Sequence, residues 1–245
     1  YDTKGRAVSE ILDVAETNIF SLAEQHNNNK KDAGPKSISS VTADVISKLD
    51  ALSKLDGNIT GLTTGVLELH NKTYGMQAGE LIIVAARPSM GKTAFVLSMA
   101  KNIAVNFKKP VAVFSLEMSN VQLVNRLIVN VCEIEGEKIK NGRLAKYEWE
   151  QLDKKINDLY DAPIFIDDTP SLSIFEFRTK ARRLVREENV QLIIIDYLQL
   201  MNAGGSGFGN REQEVSIISR SLKGLAKELN IPIIALSQLN RAVES

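Results

Sequence analysis

The chain has 245 residues, 30 Lys plus Arg against 30 Asp plus Glu, 44% apolar and 24% charged residues, a balance that excludes a disordered or collagen-like polymer. That length allows one good-sized core plus an appendage, and the single Cys132 can form neither an internal disulfide nor a cysteine metal cluster, so a reducing, cytoplasmic setting is expected. With zero net charge, any nucleic-acid contact must come from a local basic surface.

The chain opens at Tyr1 without the apolar core of a secretion signal and reads as a fragment. Residues 9 to 25 place Ile11, Leu12, Ala15, Ile19, Leu22 and Ala23 on one helical face, with Asp13 and Glu16 opposite. The polar stretch that follows, through Gly34-Pro35, has the composition of a flexible linker. An amphipathic linker helix over 1–26 and a linker over 27–37 are therefore expected before a domain over 38–245. The apolar stripe of the first helix must be buried, either on its own domain or on a neighbouring chain.

A second helix is expected from Ile38 to Leu55, with Val41, Val45, Leu49 and Leu52 on one face and Ser37 to Ser40 as caps, and then a loop from Gly57 to Gly65. Short apolar runs at Leu81–Ala85, Val111–Phe114, Ile164–Ile166, Leu192–Ile195 and Ile231–Leu236 read as buried parallel strands. Helical stretches alternate with them at Lys92–Phe107, Asn120–Cys132, Lys146–Tyr160, Ile174–Glu188 and Arg211–Leu229. The class is α/β with one doubly wound, mainly parallel sheet. The longest unbroken apolar run, Leu81 to Ala86, is far short of the roughly 20 residues of a membrane span, so no membrane association is expected.

The strongest chemical signal is a strand, a tight loop and a helix start: Leu81 to Ala86, then Arg87-Pro88-Ser89-Met90-Gly91-Lys92-Thr93. This is a phosphate-binding loop. Gly91 lets backbone amides approach phosphate, Lys92 reaches the β/γ oxygens, Thr93 suits Mg²⁺, and the helix N-terminus adds its partial positive charge. Ala86 stands where the pattern has its first Gly, so that turn must tolerate a Cβ. Two strand ends supply carboxylates: Asp196 after Leu192 to Ile195, suited to support Mg²⁺, and Glu117 after Val111 to Leu116, either a water activator or a solvated loop acid. A third strand ends at Ser237-Gln238, where a Gln can sense a γ-phosphate or simply follow a strand.

Taken in order, Ala85 to Thr93, Phe114 to Ser119, Ile195 to Met201 and Leu236 to Arg241 resemble the motifs of the bacterial replicative DNA helicases, the DnaB family. Gly61 to Gly65 and the first helix, similar to the family's linker helix, extend the resemblance over nearly the whole chain. The resemblance implies a RecA-like P-loop motor in a hexameric ring, hydrolysing ATP with Mg²⁺ to move along single-stranded DNA, with primase and a helicase loader as partners. It implies Glu117 as the water-orienting base, Gln238 as the γ-phosphate sensor and Arg126, nine residues after Glu117, as an arginine reaching the nucleotide. It also implies an N-terminal domain before Tyr1, and later strands, an arginine finger and a DNA-contacting loop after Ser245.

The glycine tract around Ala203 to Gly209 either faces a DNA channel or simply connects Met201 to the next helix. Arg178, Lys180, Arg182, Arg183 and Arg186 make one helix basic, and without interleaved aromatics a solvated face is expected. His26 and His70 have no second metal ligand nearby in sequence, and Trp149 and the Met residues are expected in packing. Alternatives in other classes are a filament-forming recombination or repair ATPase, a P-loop kinase, which has no use for the Phe114 to Ser119 and Ser237 to Arg241 motifs, and a non-hydrolysing nucleotide switch.

Overall fold

The computed structural model describes residues 37–53, 60–203 and 211–239. The expected linker helix, most of the linker, the tract over 204–210 and Arg241 lie outside them. The chain forms two compact units, Tyr1–Gly57 and Asn58–Ser245. In the first, helix α1 (Ile38–Ser53) starts where the Ser37 hydroxyl accepts from the Ser40 amide at 3.4 Å, a serine cap. Its Val41, Val45, Ile46 and Leu49 are exposed.

The second unit is built on a five-stranded sheet. Its elements are α2 (Leu67–Thr73), β1 (Leu81–Ala86), α3 (Lys92–Lys101), β2 (Val111–Ser115), α4 (Asn120–Cys132), α5 (Gly136–Asn141), α6 (Lys146–Tyr160), β3 (Ile164–Asp167), α7 (Ile174–Glu188), β4 (Leu192–Asp196), α8 (Arg211–Leu229) and β5 (Ile233–Gln238). The strands run in the order β1-β5-β4-β2-β3 and every pair is parallel. Such a sheet needs helices on both faces, because a parallel crossover returns the chain across one face or the other.

Strand β4 shows how the sequence meets that demand. Ile193 and Ile195 pack with Phe177, Ile218 and Leu222 of α7 and α8, whereas Leu192 and Ile194 pack with Val96, Leu97, Leu123 and Leu127 of α3 and α4. The period of two sends alternate residues to opposite faces, and both faces are apolar, so the strand reads as a continuous apolar run. A smaller cluster of Val131, Cys132 and Ile134 lies against Leu152 of α6. Cys132 is a buried free thiol, and burial pushes its pKa up.

Helices α4, α6, α7 and α8 have the bounds that periodicity predicts. Four expectations need correction. The last strand covers 233–238, not 231–236: Pro232 has no N–H for a ladder, and pairing begins with the Ile233 amide on Glu80 O at 2.9 Å. Ser237 and Gln238 therefore lie within the strand. The helix expected over 92–107 is α-helical only to Lys101 and passes into a π-turn, Asn102–Asn106, where Asn102 Nδ2 donates to Gly65 O at 2.7 Å.

The basic helix α7 is not simply a solvated face. Arg182 is buried and donates through Nε and Nη2 to the Glu228 carboxylate at 2.7 and 3.3 Å, and Lys180 Nζ donates to Asp167 at 2.6 Å and Thr169 at 2.7 Å. Arg183 and Arg186 do have solvated side chains. Trp149 is half exposed, and Met90 is exposed at the phosphate-binding loop while Met76, Met99 and Met201 are buried. Short helices α2 and α5 were not expected, since fewer than two turns show no clear period.

The rings of Phe114 (β2) and Phe177 (α7) meet edge to face with centroids 4.8 Å apart, both fully buried. Phe177→Ala should therefore lower stability to urea unfolding by roughly 3–5 kcal/mol. Trp149→Ala, at a half-exposed position, should cost less than about 1 kcal/mol.

Candidate active site

All five strands point the same way, so the C-terminal ends of β1, β5, β4 and β2 lie along one edge of the sheet. Ligands of open α/β sheets bind at that edge. Here it carries a cleft of about 590 Å³ lined by Pro88, Ser89, Gly91, Lys92, Thr93 and Ala94 of the loop and α3, by Glu117, Met118, Gln122 and Arg126 after β2, by Asp196 and Tyr197 after β4, and by Gln238 of β5.

The loop after β1 folds tightly before entering α3. Ser89 and Gly91 take left-handed backbone conformations, φ 62° and 84°, and Gly91 caps the helix. A Cβ at Gly91 would meet nothing within 4 Å, so its glycine serves the backbone angle and an unobstructed approach to the helix N-terminus. Ala86 is the last residue of β1, paired with Gln238 and without a positive φ, which is why a Cβ is tolerated where the common pattern has glycine. Its carbonyl accepts from Lys92 Nζ at 2.9 Å, and Arg87 O accepts from the same ammonium at 3.3 Å. Ala86, Arg87 and Met90 do not line the cleft; the first two contribute carbonyls from behind the loop and Met90 points to solvent.

Opposite the loop, Asp196 is 3% exposed at the end of β4 and accepts from the Thr93 hydroxyl at 2.7 Å. The peptide bond from Asp196 to Tyr197 is cis. Burial pushes the Asp196 carboxyl above its ordinary range, against the opposing pull of the Thr93 hydrogen bond and the positive charges of Lys92 and Arg126. The carboxylate of Asp196 and the hydroxyl of Thr93 are the two oxygens that would hold a hard divalent ion here, and the charges of Lys92 and Arg126 would favour an anion beside them.

Glu117 leaves β2 on a built turn. The Ser115 hydroxyl accepts from the Met118 amide at 3.1 Å and donates to Met118 O at 2.7 Å, and Leu116 N donates to Asp196 O at 2.7 Å. Ser119 then caps α4 in a reciprocal box with Gln122. This box fixes the helix that carries Gln122 and Arg126 into the cleft. Gln238 arrives on β5, between β1 and β4.

The expected residues Lys92, Thr93, Glu117, Arg126, Asp196 and Gln238 thus share one cleft. Met118, Gln122 and Tyr197 line it as well, although sequence reasoning gave them no role. Gln122 was detectable as the last residue of a Ser-x-x-Gln capping box. Among the described residues no cluster of His, Cys, Asp and Glu suits a metal by itself, and no helix is long and apolar enough to cross a membrane.

Residues 61–245 match the family model described as DnaB-like helicase C terminal domain. The chain is 44% identical over 248 residues to replicative DNA helicase DnaB of Buchnera aphidicola subsp. Acyrthosiphon pisum, covering 100% of this chain and 53% of that protein. It is 43% identical over 242 residues to replicative DNA helicase DnaB of Geobacillus stearothermophilus, covering 99% and 52%. The chain spans about half the length of these curated relatives. Among solved structures, one described as an ATPase domain superposes with a TM-score of 0.79 at 37% identity, covering 86% of this chain and 74% of that one. A DnaB-like replicative helicase, described with its interactions with primase, gives 0.76 at 32% identity, covering 97% and 57%. The doubly wound parallel sheet is accordingly of the RecA-like kind expected. On this sequence match and this shared sheet, the chain belongs to the DnaB-like helicase C-terminal domain family.

Proposed function

We propose that the cleft binds and hydrolyses Mg-ATP, and that the chain is the motor of a replicative DNA helicase, moving on single-stranded DNA and separating duplex at a fork. The observation that carries this reading is the hydrogen bond from Thr93 to the buried Asp196, set beside the ammonium of Lys92. It joins the phosphate-binding loop to the acid-bearing strand in the arrangement that a nucleotide with its metal requires. The names of the relatives support helicase work, and the neighbour described with primase supports primase as a partner. A hexameric ring, a helicase loader and a cytoplasmic setting complete the proposal.

In this reading the backbone amides around Pro88 to Thr93 hold the phosphates at the N-terminus of α3. Lys92 exchanges the carbonyls of Ala86 and Arg87 for the β/γ oxygens. Thr93 and Asp196 fit Mg²⁺, since both are oxygen donors at one point of the cleft; when bound, the ion neutralises charge on the phosphates. Glu117 orients water and accepts its proton as the water oxygen bonds to the γ-phosphorus. The bond from that phosphorus to the β-phosphate oxygen breaks, leaving ADP and phosphate. Gln238 contacts the γ-phosphate from β5, and Arg126 adds positive charge from α4.

Separate roles predict separate defects. Lys92→Ala should weaken nucleotide binding by roughly 10- to 100-fold, the worth of a charge-assisted hydrogen bond. Glu117→Gln should bind ATP normally and hydrolyse it more slowly by roughly 10²- to 10⁴-fold. Titration calorimetry and phosphate release in the intact enzyme distinguish the two, and normal turnover by Glu117→Gln would remove that residue from the mechanism.

Asp196 also predicts a trade between stability and activity. The folded chain holds the Asp196 proton to a higher pH than the unfolded chain does. The native state therefore binds more protons over that window, and this group's contribution to stability is lost as pH rises from the ordinary aspartate range through the raised value. Asp196→Asn keeps an acceptor for Thr93 and removes the buried charge. Without nucleotide it should melt higher than the parent at neutral pH and show a flatter dependence of stability on pH, while Mg-dependent hydrolysis is lost. A lower melting temperature at neutral pH would contradict this account of the carboxylate.

A further inference from the structure

Strand β5 runs further than one of its neighbours. On the β1 side its ladder continues to Ala86 opposite Gln238, and the next amide, that of Leu239, donates to Ala86 O at 3.2 Å. On the β4 side the ladder stops at Ile195 opposite Ala235. Beyond that point β4 ends at Asp196, and the chain turns into a single 3₁₀ turn, Leu198–Leu200. In a parallel strand, successive residues direct their N–H and C=O groups to alternate neighbours, so the main chain of Gln238 faces the side where β4 has ended.

The side chain of Gln199 takes the place of the missing strand. Its Oε1 accepts from the Gln238 amide at 3.3 Å, and its Nε2 donates to Gln238 O at 3.1 Å and to Ser237 Oγ at 2.9 Å. One primary amide thereby copies the acceptor and donor of a backbone peptide group, which no other side chain of this length and charge can do except by losing one of the two. The turn bearing Gln199 is itself fastened, since the Arg211 guanidinium donates to the carbonyl of Gln199 and, at 3.3 Å, to that of Met201. Gln199 is only partly exposed and is not among the residues lining the cleft, so its position fits contact with the sensor strand rather than with a ligand.

We propose that Gln199 is a positioning residue for the nucleotide reaction: its amide fixes the backbone of Gln238, and hence the point from which the Gln238 side chain reaches the γ-phosphate. This rests on the reading of Gln238 as the γ-phosphate sensor. The γ-phosphate is the group that distinguishes a nucleoside triphosphate from a diphosphate, so the clamp governs turnover and the preference for triphosphate. Affinity for the diphosphate is set by the loop from Pro88 to Thr93 and is independent of it.

The test compares Gln199→Ala, Gln199→Met, Gln238→Ala and the Gln199→Ala/Gln238→Ala double variant in the intact enzyme. The Met variant keeps the length of the side chain and removes the amide, so it separates the clamp from simple packing. Turnover of ATP and the affinities for ADP and a non-hydrolysable triphosphate are measured for each. Both single Gln199 variants should lower kcat by roughly tenfold, the order expected when a reacting group is displaced by less than an ångström. They should also lose preference for triphosphate, with ADP affinity within about twofold of the parent. The double variant should turn over as slowly as Gln238→Ala alone, because a clamp with nothing to position has no further effect.

Wild-type turnover by Gln238→Ala would remove the sensor reading and the clamp with it. Slow turnover by Gln238→Ala, with Gln199→Met at wild-type rate, would overturn the clamp and leave the sensor standing. Additive losses in the double variant, or a fall in ADP affinity matching the fall in triphosphate affinity, would likewise overturn it.

Discussion

Thr93 opens the helix that follows β1 and Asp196 ends β4, two strands separated in the sheet by β5, and the 2.7 Å hydrogen bond between these residues closes the site across that strand. Everything else in the cleft is arranged around that contact. The carboxylate is buried, so it is costly as an ion and must be offset by the hydroxyl and by the positive charges of Lys92 and Arg126. The helix bearing Thr93 must start where it does, which demands the left-handed turn at Gly91. The strand bearing Asp196 must be held between two others in register, which demands apolar residues on both faces.

The strand order turns these local demands into one site. Because β5 lies between β1 and β4, Gln238 projects from between the phosphate-binding loop and the acid-bearing strand. Because β2 pairs with β4 on the other side, Glu117 lies at the same edge. A sheet with these strands in sequential order would have separated them. The sheet edge also explains the position of Gln199, which supplies a peptide-like partner where β4 stops short of β5. The site thus depends on strands ending at different points as much as on their being adjacent.

Much of this was legible in the sequence, for identifiable reasons. Buried parallel strands are unbroken apolar runs, and long amphipathic helices show a period of 3.6, so α4, α6, α7 and α8 emerge with their bounds. The motif residues Lys92, Thr93, Glu117, Asp196 and Gln238 follow strands, and a parallel sheet brings strand ends together. What was not legible depends on partners distant in sequence. The pairing of Arg182 with Glu228 and of Lys180 with Asp167 turns half of a basic helix into internal cross-links, and no local pattern announces an acid that far along the chain. The amide of Gln199 meets Gln238 only through the fold, and the start of β5 was misplaced because Ile231 and Pro232 look apolar although Pro232 cannot join a ladder. The tolerance of Ala86 is a matter of backbone angle, which composition does not show.

The central claim is that the edge formed by β1, β5, β4 and β2 holds a metal-bound triphosphate between the loop and Asp196. A crystal structure of the intact enzyme with magnesium and a non-hydrolysable ATP analogue tests it most directly. Phosphates should lie against the amides of Gly91, Lys92 and Thr93, with Lys92 Nζ moved from Ala86 O and Arg87 O onto the β/γ oxygens and the metal beside Thr93 and Asp196. Analogue bound elsewhere, or bound here with Lys92 still on the loop carbonyls and the metal remote from Asp196, would contradict it.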